Sequence, residues 1–347
     1  MKVPLENIYY LLCYVHERFQ ARDFVSSAAQ LADRTENLFA HILVRETSRL
    51  LRRGLSRRYL ERSETLRGVR GKIELTPTLT RALQRRGELA CSFEELSVDI
   101  AENQLLRAAM LSVSQLPRTS PVHRGRVAGA IRSLGAVSEI QLSPRAFEEL
   151  RRHPPRRDYA LALAVCKFIA QRAAPHLSQG EDAFSGFQAS EQEMGGVFED
   201  FVRQFIRIEI PGAKHHKRSA DWSVRADPAS LALLPGLQRD IPLELAGRRA
   251  IIECKFSRPL QSNQFGQMGL KSAHLYQIYA YLMNAGPEWE GLLLYGTVGP
   301  GTSASFELSG RRVRVESVDL AQPWSSIHEQ MARAVVAGDA AQGRRVG

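Results

Sequence analysis

Residues Leu237 to Phe256 limit what this chain can fold into more than any other stretch. Two apolar-rich runs flank Ala246-Gly247, and strand, tight turn, strand is the pattern of a β-hairpin. Symmetry about Ala246 and Gly247 makes paired positions sum to a constant, which sets Asp240 opposite Glu253 with Cβ atoms about 4.5–5.5 Å apart. Side chains alternate along a strand, so Lys255 shares a face with Glu253 while Ile252, Cys254 and Phe256 take the other. Two carboxylates and an ammonium therefore gather at one end of the hairpin. Hard divalent cations prefer carboxylate and carbonyl oxygens and keep waters that can attack a phosphodiester. A lysine beside them orients or deprotonates that water and offsets the growing charge. The competing reading is a surface hairpin with an ordinary ion pair. Of the seven lysines, only Lys255 has an acid two places before it, and it follows the apolar run Ala250-Ile251-Ile252. Metal-assisted cleavage is the favoured reading.

Two further segments bear on that chemistry. Val197-Phe198-Glu199-Asp200-Phe201-Val202 opens an amphipathic helix, and Gln277 and Tyr281 share a face of another at i, i+4. In this order the pattern resembles the PD-(D/E)xK nuclease superfamily, and Gln277 with Tyr281 resembles the Gln-x-x-x-Tyr motif of its RecB-like branch. The resemblance implies that Glu199 is the acid that the first helix adds to the metal site. It implies magnesium, or manganese in its place, held by Asp240, Glu253, the Cys254 backbone carbonyl and Glu199. Lys255 would assist the attacking water, and Gln277 and Tyr281 would shape its surroundings.

The 347 residues suffice for two domains with cores of their own. No apolar run approaches the roughly 18 residues of a membrane span, and the start lacks the build of a signal peptide, so a cytoplasmic protein is expected. Cys13, Cys91, Cys166 and Cys254 are scattered, as buried thiols would be. The net charge of +10 comes from two stretches. Residues 51–150 hold 17 Lys and Arg against 11 Asp and Glu, and residues 201–250 hold 9 against 5. Such faces attract phosphate backbones, although a GC-rich genome would also enrich arginine.

Helices are expected over residues 4–19, 35–53, 99–116, 122–134 and 158–173, with short extended pieces at 59–66 and 91–95. The helix over 4–19 carries Tyr9, Tyr10 and Tyr14 as core or interface residues. Leu66 to Ile73 reads as a flexible basic loop or hairpin tip, and residues 144–155 as a connector. Polar Ser178 to Ser190 marks the expected boundary between domains at 1–180 and 190–338, followed by a flexible tail at 339–347. The second domain is expected to run helix (193–209), strand (222–225), hairpin, helix (268–284), strand (291–296), hairpin at Ser309-Gly310, and final helix (323–336). Lys214-His215-His216-Lys217-Arg218 is expected to be a basic DNA-facing loop, because neighbouring histidines on an extended chain point apart. The expected class is α/β (α+β), a mainly helical first domain followed by a mixed sheet flanked by helices.

Nearly the full length resembles the McrC subunits of modified-cytosine restriction systems. The resemblance rests on Asn7-Ile8-Tyr9-Tyr10-Leu11-Leu12, Arg53-Gly54-Leu55 with Tyr59, Leu66-Arg67-Gly68 with Gly71-Lys72-Ile73, and Asp99 with Asn103. In the second half it rests on Phe198-Glu199, Asp240, Glu253-Cys254-Lys255 and Gln277 with Tyr281. Many relatives have Asp where this chain has Glu253, and either supplies a carboxylate. The resemblance implies an endonuclease subunit that cuts DNA containing 5-methylcytosine and stimulates the GTPase of an McrB-like AAA+ ring through its N-terminal half. The chain has no Gly-x-x-x-x-Gly-Lys-(Ser/Thr) loop, so GTP would be bound by that partner. Arg67, Arg70 and Lys72 are the expected ring contacts. The alternatives are a catalytically silent adaptor that activates the GTPase, or a RecB-like nuclease of another AAA+ defence or repair system.

Overall fold

In the computed structural model, which describes residues 3–16, 35–176, 191–262 and 266–336, the hairpin lies in the middle of a six-stranded sheet. The chain divides into two units, one of Met1–Ser26 with Ser185–Gly347 and one of Ser27–Phe184. The expected boundary at Ser178 to Ser190 and the tail at 339–347 lie outside the described residues.

The unit of Ser27–Phe184 is built on helix α2 (Thr35–Arg53), strands β1 (Arg58–Leu66), β2 (Lys72–Ile73) and β3 (Leu89–Ser97), and short helix α3 (Leu75–Thr80). Helices α4 (Ala101–Gln115), α5 (Pro121–Arg132) and α6 (Ala160–His176) follow. Apolar Leu105, Leu106, Ala109 and Val113 recur at helical spacing and are buried, so α4 packs against α2, α5 and α6. Asn103 explains its place in the resemblance. Its amide donates to the carbonyls of Ser56 (3.0 Å) and Val98 (2.7 Å) and accepts from the Tyr159 hydroxyl (2.8 Å), which in turn accepts from the Ser56 N–H (2.8 Å). This buried clamp holds three chain segments together. The connector at 144–155 contains two single turns of helix, Pro144–Phe147 and Glu149–Arg152.

Residues 66–73 do not form a hairpin tip, because β1 and β2 both pair with β3 and flank it. Gly71 sits at φ +67°, and a Cβ there would lie 2.4 Å from the Ser92 carbonyl oxygen and 2.7 Å from Phe93 Cβ. Gly71→Ala combines a left-handed backbone with a clash against a backbone atom. We expect a loss of roughly 2 kcal/mol or more, read as a lower urea midpoint at unchanged slope.

The other unit begins with α1 (Leu5–Val15) and resumes with α7 (Glu191–Glu209), then β4 (Lys214–His215), β5 (Ser219–Ala220), β6 (Leu237–Gln238), β7 (Ile241–Leu245) and β8 (Arg248–Phe256). It continues through β9 (Leu260–Ser262), β10 (Met268–Leu270), α8 (Ser272–Met283), β11 (Trp289–Thr297), β12 (Ala304–Leu308), β13 (Arg311–Asp319) and α9 (Trp324–Val336). The strand order is β12-β13-β11-β8-β7-β4, with β13, β11 and β8 parallel and the other neighbours antiparallel. Central β8 and β11 are largely buried on both faces, as a sheet covered on both sides requires. Gly291 meets Ile278 and Leu282 of α8, while Gly296 meets Phe198 of α7, so the two helices pack on opposite faces.

Helix α1 does not belong with the residues that follow it. Tyr10 and Tyr14 are buried against Phe201 of α7, with Phe205 beside Tyr14 and Trp324 beside Tyr10. The Tyr14 hydroxyl donates to Glu209 (2.7 Å), and the Asn7 amide donates to the carbonyls of Leu320 and Gln322 (both 2.8 Å). The tyrosine face is therefore core, and the expected division at 1–180 is corrected: the first helix is part of the sheet-bearing unit. The expected strand at 222–225 is absent. Strand β5 pairs with β6 through Ser219 and Ala220, and Trp222 instead donates through its indole to the Pro235 carbonyl (2.6 Å).

Candidate active site

The turn between β7 and β8 places Ala246 at φ +50° and Gly247 at φ +79°. Two successive residues with positive φ suit the right-handed twist of a two-residue hairpin. The ladder runs from Leu245 opposite Arg248 to Ile241 opposite Ile252. One step further along this register lie Asp240 and Glu253, the pairing expected from symmetry.

Asp240 Oδ2 accepts the Cys254 backbone N–H at 2.9 Å. This tie pins the carboxylate to the end of the strand. Glu253 is 1% exposed; its Oε1 accepts from Lys255 Nζ at 2.5 Å, and its Oε2 is buried without a hydrogen-bond partner. Burial, then the charge of Asp240, pushes the Glu253 carboxyl up to about 7 against the pull of Lys255. Burial likewise raises Asp240, with Glu199 adding to the effect and the Cys254 N–H, Lys255 and Arg218 opposing it. The two acids thus share a site that disfavours both negative charges. The Cys254 thiol, on the opposite face, is buried and pushed well up for the same reason.

Helix α8 completes the cluster. Gln277 Oε1 accepts from Lys255 Nζ (2.9 Å), Gln277 Nε2 donates to the Tyr281 hydroxyl (2.9 Å), and that hydroxyl donates to the Gln238 carbonyl (2.6 Å). The relay returns to the strand that leads into Asp240. It fixes the orientation of the Gln277 amide and leaves Lys255 one of its three protons for a ligand. Glu253, Lys255, Gln277 and Tyr281 are thus joined by hydrogen bonds, with Asp240 alongside.

Glu199 stands apart from this chain of hydrogen bonds. Its Oε1 accepts from Arg203, one turn along α7, and from Arg218 at 2.7 Å. Arg203 also reaches the Asp240 carbonyl at 3.4 Å. Among the described residues, no three or more His, Cys, Asp or Glu side chains converge on a point that could hold a metal. The residues that sequence reasoning missed are Arg203, Arg218, Gln238 and the pair His274 and Tyr295. The Tyr295 hydroxyl lies 2.9 Å from His274 Nδ1, and Tyr295 is the register neighbour of Lys255. Arg203 was legible as an i, i+4 partner of Glu199; Gln238 acts through its backbone and left no trace in residue type.

Lys214 and His215 form edge strand β4 on β7, which corrects the expected loop. The two histidines do diverge. His216 stacks edge-on against Trp289 and faces Glu244 at 3.8 Å, whereas His215 is lowered by burial and then by Arg203 and Arg207. Of the three expected ring contacts, Arg67 and Lys72 are exposed, with Lys72 3.4 Å from Glu74. Arg70 lies 3.8 Å over the Phe93 ring and pairs with Glu95 at 3.2 Å.

Residues 6–296 match the family described as McrBC 5-methylcytosine restriction system component. The chain belongs to that family. The match takes in every residue of the cluster from Glu199 to Tyr281 and ends before β12, β13 and α9. The chain is also similar to the Type IV methyl-directed restriction enzyme EcoKMcrBC of Escherichia coli (strain K12), with 26% identity over 334 residues, 95% of this chain and 96% of that protein. Two structures from Thermococcus gammatolerans are similar in part. A refined half-complex of McrB AAA+ hexamers with bound McrC shares 16% identity, with 88% of this chain and 70% of that chain covered, at a TM-score of 0.45. The cryo-EM structure of the McrBC complex shares 18% identity, with 55% and 54% covered, at a TM-score of 0.36. All four cysteines are buried, and no described helix is long and apolar enough to cross a membrane.

Proposed function

We propose that this member of the McrBC family is the endonuclease subunit of a GTP-dependent restriction system, cutting DNA that carries 5-methylcytosine by metal-assisted phosphodiester hydrolysis of the PD-(D/E)xK type. The observation that carries the reading is half-buried Asp240 beside buried Glu253, with Lys255 bonded to Glu253. The donor set fits a hard divalent cation. Glu253 Oε2 is a buried oxygen without a partner, and both carboxyls resist ionisation where they stand, a cost that a cation would offset. Asp240, Glu253 and the Cys254 carbonyl would hold magnesium, or manganese, with the remaining positions left to water. The ion would supply Lewis acidity and lower the pKa of a bound water.

The protein's own groups would do the rest. Lys255 is steadied by Glu253 and Gln277 and directs its third proton to the attacking water or a phosphate oxygen. Tyr281 keeps Gln277 from turning its amide. Glu199 anchors Arg203 and Arg218 beside Asp240, where the two guanidiniums can meet the phosphate backbone. The partner would be an McrB-like AAA+ GTPase ring, consistent with the family, with the name of the Escherichia coli relative and with the missing nucleotide-binding loop in this sequence.

The test is cleavage of methylated and unmethylated plasmid with magnesium, with and without the ring protein and GTP. Cleavage only with all of these supports the reading. If GTP hydrolysis is stimulated and the plasmid stays intact, the chain is an adaptor. For the ring contacts, Arg67→Glu with Lys72→Glu is expected to weaken stimulation of the GTPase at least about tenfold, because both cations are exposed. Arg70→Glu should add a fold-related loss through Phe93. Unchanged stimulation by the double variant would place the contact elsewhere.

A further inference from the structure

Beside the contact of Lys255 with Gln277, a second hydrogen bond joins α8 to the sheet. The Tyr295 hydroxyl lies 2.9 Å from His274 Nδ1, with the rings 5.7 Å apart. Tyr295 of β11 pairs in register with Lys255 of β8, and His274 stands one turn before Gln277 on α8. The two contacts are therefore neighbours at the carboxyl ends of parallel strands, where ligands of such sheets bind. Tyr295 is fully buried, and among the described residues its hydroxyl has no partner other than His274. Its proton must go to Nδ1, because the opposite arrangement leaves a buried O–H unsatisfied. The neutral imidazole then carries its own proton on Nε2. Burial, then Glu253, pushes Tyr295 up to about 12, which keeps the hydroxyl a donor. Burial, then Lys255 and Lys271, brings His274 down to about 4, which keeps the ring neutral. His274 is only half-buried, and among the described residues Nε2 has no partner and is open to solvent. Any acceptor would satisfy Tyr295; histidine adds a second nitrogen whose proton points away from it.

We propose that His274 donates from Nε2 to a backbone phosphate of the DNA strand being cut, and that Tyr295 is the positioning residue that sets the imidazole for it. The ring supplies a directed donor, and Lys255 and Lys271 make its surroundings positive. The proposal rests on the nuclease reading and adds a DNA contact to it.

The test treats the two ring nitrogens separately. Asparagine places an amide oxygen where Nδ1 stands, so His274→Asn keeps an acceptor for Tyr295 and removes the outward donor. In the assembled complex with magnesium and GTP, this variant is expected to cut methylated plasmid about tenfold more slowly, the effect of losing one hydrogen bond to a charged group. Its thermal midpoint and its stimulation of GTP hydrolysis should match those of the unaltered protein. His274→Gln places an amide near the position of Nε2 and is expected to recover part of the rate. A further readout needs no cleavage. Imidazole nitrogen-15 resonances of the metal-free protein at pH 7, assigned with His274→Asn, should show a bare Nδ1 and a protonated Nε2, and Tyr295→Phe should shift that balance. Cleavage by His274→Asn within about twofold of the unaltered protein, or a proton on Nδ1, overturns the proposal. A slowed His274→Asn with a lowered midpoint and no recovery in His274→Gln assigns the pair to the fold and overturns it too. Lys255→Ala is run alongside. If it abolishes cleavage while His274→Asn cuts normally, the nuclease reading stands and the His274 contact falls; if Lys255→Ala cuts normally, both fall.

Discussion

Lys255→Ala is expected to abolish plasmid cleavage by the assembled complex, with a fall of roughly 10³-fold or more. The same protein should still bind the ring and stimulate GTP hydrolysis. The size of the effect follows from the geometry. Lys255 donates to Glu253 and also holds Gln277, so its loss removes a donor to the reacting groups and frees the amide to turn. It also removes the charge that opposes protonation of Glu253. Lys255→Arg distinguishes the two contributions, because it keeps the charge while changing the reach and shape of the donor. Cleavage within tenfold of the unaltered protein in Lys255→Ala would sink the assignment of the hairpin as the active site.

A second large effect runs in the opposite direction. Glu253→Gln is expected to make the metal-free protein more stable above neutral pH, by about 3 kcal/mol, while ending cleavage. The folded carboxyl titrates near 7, against an ordinary value of 4.5. Between those values the folded state keeps a proton that the unfolded chain has released. Stability of the unaltered protein therefore falls as pH rises from about 4.5 to about 7 and stays low above that. Glutamine cannot ionise, can still accept from Lys255, and removes this contribution to the slope. Thermal midpoints at pH 5 and pH 8 in chelator should diverge between the two proteins by several degrees at the higher pH only. Added magnesium should then raise the midpoint of the unaltered protein and not that of the variant. Equal midpoints at both pH values would mean that the carboxyl is not strained in the folded state.

Much of the site could be read before any coordinates. Hairpin symmetry placed Asp240 opposite Glu253, and period-two alternation put Lys255 on the same face, because both follow from local strand geometry. Gln277 and Tyr281 were recognisable as helix neighbours for the same kind of reason. The strand expected at 222–225 failed where local preference and pairing conflict: Trp222 and Val224 suit a strand, yet the ladder of β5 and β6 ends at Ala220 and leaves them without a partner.

What the sequence determined by itself depends on neighbours within a turn or a hairpin: most of the helices, the placement of the acid pair and the lysine on one hairpin, and the mixed α/β class. What only the tertiary structure decided depends on residues far apart in the chain. Helix α1 joins the sheet-bearing unit because Asn7 and Tyr14 find their partners at Leu320, Gln322 and Glu209. Glu199 is claimed by Arg203 and Arg218, and the Gln277 and Tyr281 relay closes on a backbone carbonyl at Gln238. A periodic pattern shows which face of an element is buried. It carries no information about which distant segment covers that face, since packing and hydrogen bonding select the partner by shape and satisfied donors rather than by spacing in the chain.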